Sequence, residues 1–237
     1  MKKGLSLVIP AHNAGHIIEK SIIEYNNIFS DEMEEFEMII VCNACTDNTF
    51  EVSTKLAEKF PIKVLNIPHR GKGNALLRGF KEAQFDIMGF LDVDNPFSSS
   101  RILEMIENIM SDNCDIAIAT KYLKGSLKSK KGVEDSQTRR LIALGGQTFS
   151  RIFFSLKFRD TQAGAKFFKR EVWQKIKKPF ICIGFDFDIE FLYKSKKKGF
   201  KIGEFYTPLI KFEKFSTVRI RYLAGMIYRL LKLRFLK

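Results

Sequence analysis

The sequence predicts an α/β protein built on a mainly parallel, doubly wound sheet. Three observations predict it: short β-branched runs bounded by turn residues, helix-length stretches of 3.6 period between them, and polar clusters just after the strands. LSLVI (5–9) opens the chain as the first strand and ends at Pro10. A helix over 15–29 follows, then FEMIIVC (36–42) as the second strand and a helix over 46–60. IKVLNI (62–67), a helix over 72–83, DIMGFLD (86–92), a helix over 98–111 and DIAIAT (115–120) complete the regular alternation. The second half is less regular. A helix rich in Leu, Ile and Phe is expected over 137–156, with Phe149, Phe153 and Phe154 clustered on it. A strand at 165–169, a helix over 186–198, a strand near 200–205 and a final helix from about 217 finish the chain. The expected division is one domain at 1–216 and a basic amphipathic C-terminal helix at 217–237.

With 237 residues, 45% hydrophobic and 28% charged, the chain is globular rather than disordered and has room for one well-buried domain. The charge sits in the tail: residues 194–237 hold thirteen Lys or Arg against Glu204 and Glu213, and so carry +11 of the net +13. A basic tail invites nucleic acid or an anionic membrane, or is simply a solvated face. No aromatic-rich recognition motif accompanies it, so a nucleic-acid partner is not expected. On a helical wheel Ile220, Leu223, Ala224, Ile227 and Leu231 form one stripe, with Arg221, Arg229 and Lys232 opposite. Such a helix lies in a membrane interface or packs on its domain. The run 5–9 is too short for a signal-peptide core, and no stretch of about 18 apolar residues reads as a membrane span. Four cysteines without dense spacing fit a reducing, cytosolic interior.

Doubly wound sheets bind ligands beyond the carboxyl ends of their strands, so residues after strands carry the most information. In LDVDNP (91–96), Asp92 and Asp94 occupy alternate positions at a strand end and point to one side. Carboxylates that close repel unless a cation sits between them, and hard oxygen ligands suit Mg²⁺ or Mn²⁺. A bare D-x-D is also common in turns and helix caps. HRGKGNALLRG (69–79) opens a helix with two glycines around Lys72, offering backbone N–H groups and an ammonium to phosphate. It lacks the spacing of a P-loop or of G-x-G-x-x-G, and a glycine turn with a solvated lysine reads the same way. In VCNACTDNT (41–49), Cys42 and Cys45 form a C-x-x-C pair: a redox dithiol, half of a zinc site, or a strand-to-helix turn whose polar groups hold a ligand. Cys114 and Cys182 stand alone, and His12 and His16 straddle Gly15 without a metalloprotease glutamate, which weighs against zinc.

Taken together, P-x-x-N (Pro10, Asn13), T-D-x-T (Thr46, Asp47, Thr49), GKGNA (71–75) and DVD (92–94) resemble, in order and spacing, the family-2 glycosyltransferases, whose fold is the GT-A nucleotide-diphospho-sugar transferase fold. RDTQAGAKFFKR (159–170) and GFDFDIEFLYKSKKKGFKIGE (184–204) look like the branch that makes polyprenyl-phosphate sugars. The DTQ-x-G-x-K stretch is similar to dolichyl-phosphate glucose synthases, and ATKYLKGS (119–126) resembles a segment shared with dolichyl-phosphate mannose synthases. The resemblance implies a metal-dependent, inverting transfer of a hexose from UDP-glucose or GDP-mannose to a polyprenyl (dolichyl) phosphate, by a peripheral protein at the cytoplasmic face of a membrane. The alternative is a glycan or other hydroxyl acceptor. It implies catalytic roles for Asp94, Asp92 and Lys72, with Mg²⁺ or Mn²⁺ on Asp94 and Asp92. Nucleotide-sugar contacts are implied at Pro10, Ala11, Asn13, Asn43, Lys72, Asp92, Val93 and Asp94, and the acceptor or sugar side at Lys121, Arg139, Arg140, Asp160, Thr161, Gln162 and Glu190. An ionised lipid phosphate needs no base. A hydroxyl acceptor does, and Asp186, Asp188 or Glu190 are the candidates, although acidic residues there also read as a helix start.

The sequence departs from the pattern in three places. Where related enzymes carry an acidic pair after the second strand, this chain has Cys42 and Asn43, with Cys45 in place of a small serine. Both thiols then read as packing, Asp47 as the cap of the next helix, and Asn43 as the residue left to face the base. Ala14 stands where glutamate is common, and Lys121 where arginine, with its phosphate-matching fork, is more usual.

Overall fold

A computed structural model describes residues 4–94, 97–122, 152–177, 179–208 and 223–235. The first half alternates as expected: β1 (Leu5–Ala11), α1 (Ile18–Ser30), β2 (Phe36–Asn43), α2 (Thr49–Leu56), β3 (Ile62–Ile67), α3 (Lys72–Glu82), β4 (Ile87–Leu91), α4 (Ser99–Met110) and β5 (Ile116–Thr120). Then come β6 (Ala165–Lys169), α5 (Arg170–Ile176), α6 (Phe187–Lys197), β7 (Ile202–Tyr206) and α7 (Leu223–Phe235). The short helix α5, in REVWQKI, is an addition to the sequence reading. Of the helix expected over 137–156, only its end lies within the described residues: 152–154 are helical, and Ser155, at φ 55°, breaks the turn.

The seven strands form one sheet in the order β3-β2-β1-β4-β6-β5-β7. Every pairing is parallel except those of β6, which runs antiparallel to both β4 and β5. This reversal matters for function. Because β6 runs backwards, its first residue, Ala165, pairs with Leu91 at the carboxyl end of β4. The residues just before β6 therefore lie at the same rim as the DVD turn just after β4.

Strand side chains alternate between two buried layers, as a sheet covered on both faces requires. Leu7, Ile9, Met38 and Ile40 join α1 and α4, whose Ile102, Met105, Ile106 and Ile109 recur at helical spacing on one face. Val8, Ile39 and Val41 join α3, α5, α6 and Leu230 of α7 on the other. Phe80 of α3 sits at the centre of this second layer, with ring centroids 5.2 Å from Phe168 and 5.1 Å from Trp173. Buried side chains of this size each contribute roughly 1.5–3 kcal/mol. No helix among the described residues is long and apolar enough to cross a membrane.

The last helix packs on the domain by a different face from the stripe read on its wheel. Met226 and Leu230 are buried, Arg229 turns inward, and Ile227, Tyr228, Leu231 and Phe235 are exposed. Of the stripe, Ala224, Ile227 and Leu231 thus face outward, while Ile220 and the Leu223 side chain lie outside the described residues.

Candidate active site

The turn after β4 is held from several sides. Tyr25 and Ser21 of α1 donate their hydroxyls to the carbonyl oxygens of Asp92 and Val93. Asp92 N–H donates to Gly164 O at 2.9 Å, and a Cβ on Gly164 would stand 2.3 Å from Asp92 Oδ2. Glycine is needed there because the carboxylate lies directly against its backbone. Asp92 Oδ1 meets Lys72 Nζ at 2.8 Å. Asp94, by contrast, is exposed at the rim.

Behind Asp92 lies a buried ionic network. Lys72 Nζ is 3.7 Å from Asp188 Oδ2, and Lys166 Nζ is 2.6 Å from Asp188 Oδ1. Both ammonium groups sit over the Phe90 ring, at 4.8 and 5.3 Å from its centroid. Burial alone would depress the Lys72 pKa, but the carboxylates of Asp188 and Asp92 outweigh it and hold the ammonium above its ordinary range. For Lys166, burial wins over Asp188 and, with the charge of Lys72, pulls its pKa down. The amine least able to lose its proton is therefore the one that touches Asp92.

The start of α3 differs from its sequence reading. The N–H groups of Gly73 and Asn74 do not wait for phosphate; they donate to the carbonyls of Gly184 and Ile183, at 3.2 and 3.0 Å. A Cβ on Gly73 would come within 2.7 Å of the Ile183 backbone, so two glycines are used to let the 182–184 segment seal this turn. What GKGNA presents to the site is Lys72.

Asn43 ends β2, 4% exposed. Its Nδ2 donates to Gly71 O at 2.9 Å, which fixes the orientation of the amide, and its buried Oδ1 has no hydrogen-bond partner among the described residues. His12 Nδ1 donates to Asn43 O at 2.8 Å. Asn13, at φ 51°, ties the turn after β1 to the turn after β2: its Oδ1 accepts Thr46 N–H at 2.8 Å. Pro10 is half-buried and Ala11 buried beside Cys42 in the ladder. Asp47 accepts from Thr49 N–H, at the start of α2, and from Gly15 N–H. Cys42 is fully buried; its hydrogen bond with Cys45 pushes its own thiol pKa up and lowers that of Cys45 to about 6.

Around β6, Asp160 and Thr161 are buried and Gln162 is exposed. Glu204 of β7 fixes this segment by accepting from Arg159 Nε at 2.8 Å and from Asp160 N–H at 3.2 Å. Burial pushes the Asp160 carboxyl up, against the pull of Lys121 and Lys166. Lys121 leaves the end of β5 half-buried, 5.5 Å from the Tyr122 ring centroid. Arg139 and Arg140 lie outside the described residues.

The three carboxylates of α6 are each occupied. Asp186 is gripped by Arg229, with Nε at 2.6 Å and Nη2 at 3.1 Å. Asp188 pairs with Lys166 and Lys72. Glu190 Oε2 accepts the N–H groups of Ile181 and Cys182 at 2.9 and 2.7 Å, and Oε1 meets Lys194 at 2.7 Å. Asp188 Oδ1 and Glu190 Oε1 are held by charge rather than by an aligned hydrogen bond. All three are at most 1% exposed, and Glu190 is spent on the 181–182 backbone and Lys194. Residue-by-residue reading missed Gly164 and Lys166. Their signal was available as the G and K of DTQ-x-G-x-K.

The chain matches the family model described as glycosyl transferase family 2 over residues 6–185. It belongs to glycosyl transferase family 2. The sheet order with its one reversed strand is that of the GT-A fold. Glucosyl-3-phosphoglycerate synthase from Mycobacterium tuberculosis superposes with a TM-score of 0.73 over 99% of this chain and 82% of that one, at 18% identity. A complex of that enzyme with Mn²⁺, UDP and glucosyl-3-phosphoglycerate superposes with a TM-score of 0.67 over 98% and 80%, at 20% identity. In sequence this glycosyltransferase is 30% identical to the dolichol-phosphate mannosyltransferase of Pyrococcus furiosus over 81% of this chain and 53% of that protein. It is 27% identical to glycosyltransferase AglD of Haloferax volcanii over 85% of this chain and 32% of that protein. A dolichyl-phosphate beta-glucosyltransferase of Dictyostelium discoideum is 25% identical over 94% and 76%. The chain thus spans about half of the Pyrococcus relative and about a third of the Haloferax one.

A divalent cation fits the residues present. Among the described residues no three His, Cys, Asp or Glu side chains form a ready cage. Mg²⁺ needs none, since it is commonly held by one or two carboxylates together with water and substrate phosphates. Asp94 at the rim could supply such a carboxylate, with Asp92, whose Oδ1 is held by Lys72, two residues before it.

Proposed function

We propose that this glycosyltransferase moves a hexose, with inversion, from a nucleoside diphosphate to a polyprenyl phosphate at the cytoplasmic face of a membrane. The observation that carries the reading is the state of Asp186, Asp188 and Glu190. Each is buried and paired with a cation, so none stands ready to take a proton from a hydroxyl acceptor. A phosphate monoester needs no such base, being largely ionised near neutral pH (second pKa about 6). The names of the Pyrococcus and Dictyostelium relatives point the same way.

In this reading an acceptor phosphate oxygen attacks the anomeric carbon from the face opposite the diphosphate. The bond from that carbon to the diphosphate oxygen breaks, and the nucleoside diphosphate leaves with the electron pair. Mg²⁺ or Mn²⁺ on Asp94 and Asp92 would offset the charge gathering on the leaving group. Lys72 keeps Asp92 oriented and adds positive potential. Asn43 Oδ1 is buried as the chain stands, and would have to be uncovered by the bound base before it could accept a ring N–H such as that of uracil or guanine. The likeness of DTQ-x-G-x-K favours UDP-glucose over GDP-mannose. Lys121, Arg139 and Arg140 would receive the acceptor phosphate, and Asp160, Thr161 and Gln162 would line the sugar or acceptor side. The outward apolar face of α7, with Lys232 and Arg234, would rest on an anionic bilayer.

The decisive experiment incubates the protein with UDP- and GDP-sugars, Mg²⁺ or Mn²⁺ and a short polyprenyl phosphate. Release of a nucleoside diphosphate and formation of a lipid-linked sugar are expected. Turnover only with a glycan acceptor would overturn the reading. One observation favours that second reading: burial raises the pKa of the Asp160 carboxyl, the direction a general base requires. Asp160→Asn would then abolish an ionisation seen in kcat/KM, whereas with a phosphate acceptor the wild-type and variant profiles share their shape.

A further inference from the structure

The contact between α7 and α6 does more than hold a terminal helix. Asp186, fully buried at the start of α6, receives both forks of Arg229 and also accepts Gly184 N–H at 3.0 Å. The carbonyls of Gly184 and Ile183 in turn receive the N–H groups of Gly73 and Asn74. Next to Gly73 is Lys72, whose ammonium holds Asp92. The space is filled throughout: a Cβ on Gly184 would stand 2.9 Å from Asp186 Oδ1 and 3.3 Å from Arg229 Nη2. A contiguous run of polar contacts thus joins the C-terminal helix to the DVD turn.

We propose that Arg229 is a positioning residue for the donor site. It neutralises Asp186, and the paired carboxylate pins the 181–186 segment against the first turn of α3, which sets Lys72 against Asp92. The donor-site part of this inference rests on the function proposed above; the structural coupling does not. Without Arg229 a buried carboxylate loses its only cation among the described residues, and the segment can lift to reach water. The protein then populates states in which the α3 turn is unsealed. Apparent donor affinity falls in proportion to the competent fraction, while turnover at saturating donor recovers.

The test compares Arg229→Met, Arg229→Lys and wild type in the full chain. Hydrogen exchange without nucleotide should quicken at the Gly73 and Asn74 amides in Arg229→Met. KM for the nucleotide sugar should rise about tenfold, within the 5- to 150-fold usual for coupled sites, with kcat held within about threefold. Arg229→Lys, which keeps the charge but not the fork, should fall between. Should Arg229→Met not fold, the Arg229→Lys shifts alone decide. Unchanged exchange at 73–74, or a lower Tm with an unchanged donor KM, overturns the proposal. If wild type turns over no nucleotide sugar, the proposed function fails instead, and the exchange data still report whether the coupling exists.

Discussion

Lys166 and Asp188 form a completely enclosed ion pair, Nζ to Oδ1 at 2.6 Å, with side chains 0% and 1% exposed. Charges so deep in a protein are expensive unless each compensates another, and here Asp188 also balances Lys72. The pair is the foundation on which Lys72 and Asp92 stand.

Lys166→Met should therefore unsettle the fold. Removing one partner of a buried pair costs about 3–5 kcal/mol. For a chain of this size that lowers Tm by roughly 10 °C or more. Denaturant unfolding measures it, and a loss below about 1 kcal/mol would show that Lys72 alone satisfies Asp188.

Asp94→Asn should act in the opposite manner. The side chain is exposed, so stability is expected to stay within about 0.5 kcal/mol of wild type. Transfer should drop about 10²–10³-fold, the usual cost of losing one electrostatic stabiliser of a leaving group. Retained activity with saturating Mn²⁺ removes Asp94 from the mechanism.

Gly164→Ala tests the close approach behind the DVD turn. The new methyl would stand 2.3 Å from Asp92 Oδ2, so the carboxylate must swing away. Displacements near 1 Å at reacting groups can cost about 10²-fold in rate. We expect kcat/KM to fall about 10- to 100-fold with a folded protein by circular dichroism. A fully active variant would mean Asp92 is free to move without penalty.

Cys45 offers a pH test. Its thiol pKa is lowered to about 6 by the hydrogen bond with Cys42. Alkylation by iodoacetamide, followed by peptide mass spectrometry, should reach half its plateau near pH 6, well below the value of about 8.5 for an ordinary thiol. The depressed value means Cys45 contributes stability at pH above about 8.5 that is lost as pH falls towards 6. Cys42 shifts upward, so its contribution runs the other way and is lost above about pH 8.5. A midpoint near 8.5 for Cys45 would show that the thiols do not share a hydrogen bond.

Much of the donor half could be read from residue types. Strands β1 to β5 announce themselves by branched runs of five to eight residues, and turn residues mark where the carboxyl-end loops begin. Other features have no local signature. Nothing in AKFFK says that β6 runs backwards, because side-chain alternation is the same in either direction. A lysine inside that strand reads as solvent-facing until Asp188, from a helix far along the chain, meets it. For α7 the wheel leaves the packing face open for a clear reason: LAGMIYRLLKLRF is apolar around most of its circumference, so hydrophobicity only weakly selects the inner face. The buried charge of Asp186 makes that selection by capturing Arg229.

The reversed strand gives the architecture an economy of its own. The chain leaves the rim after Thr120 and returns to the same rim before Ala165, so the end of β5 and the start of β6 both stand beside the DVD turn. The register of β1 to β4 is set by their own parallel ladders and does not depend on the length of chain between those two points. Gly164, whose carbonyl accepts Asp92 N–H, is the point at which a change on that return path would reach the DVD turn.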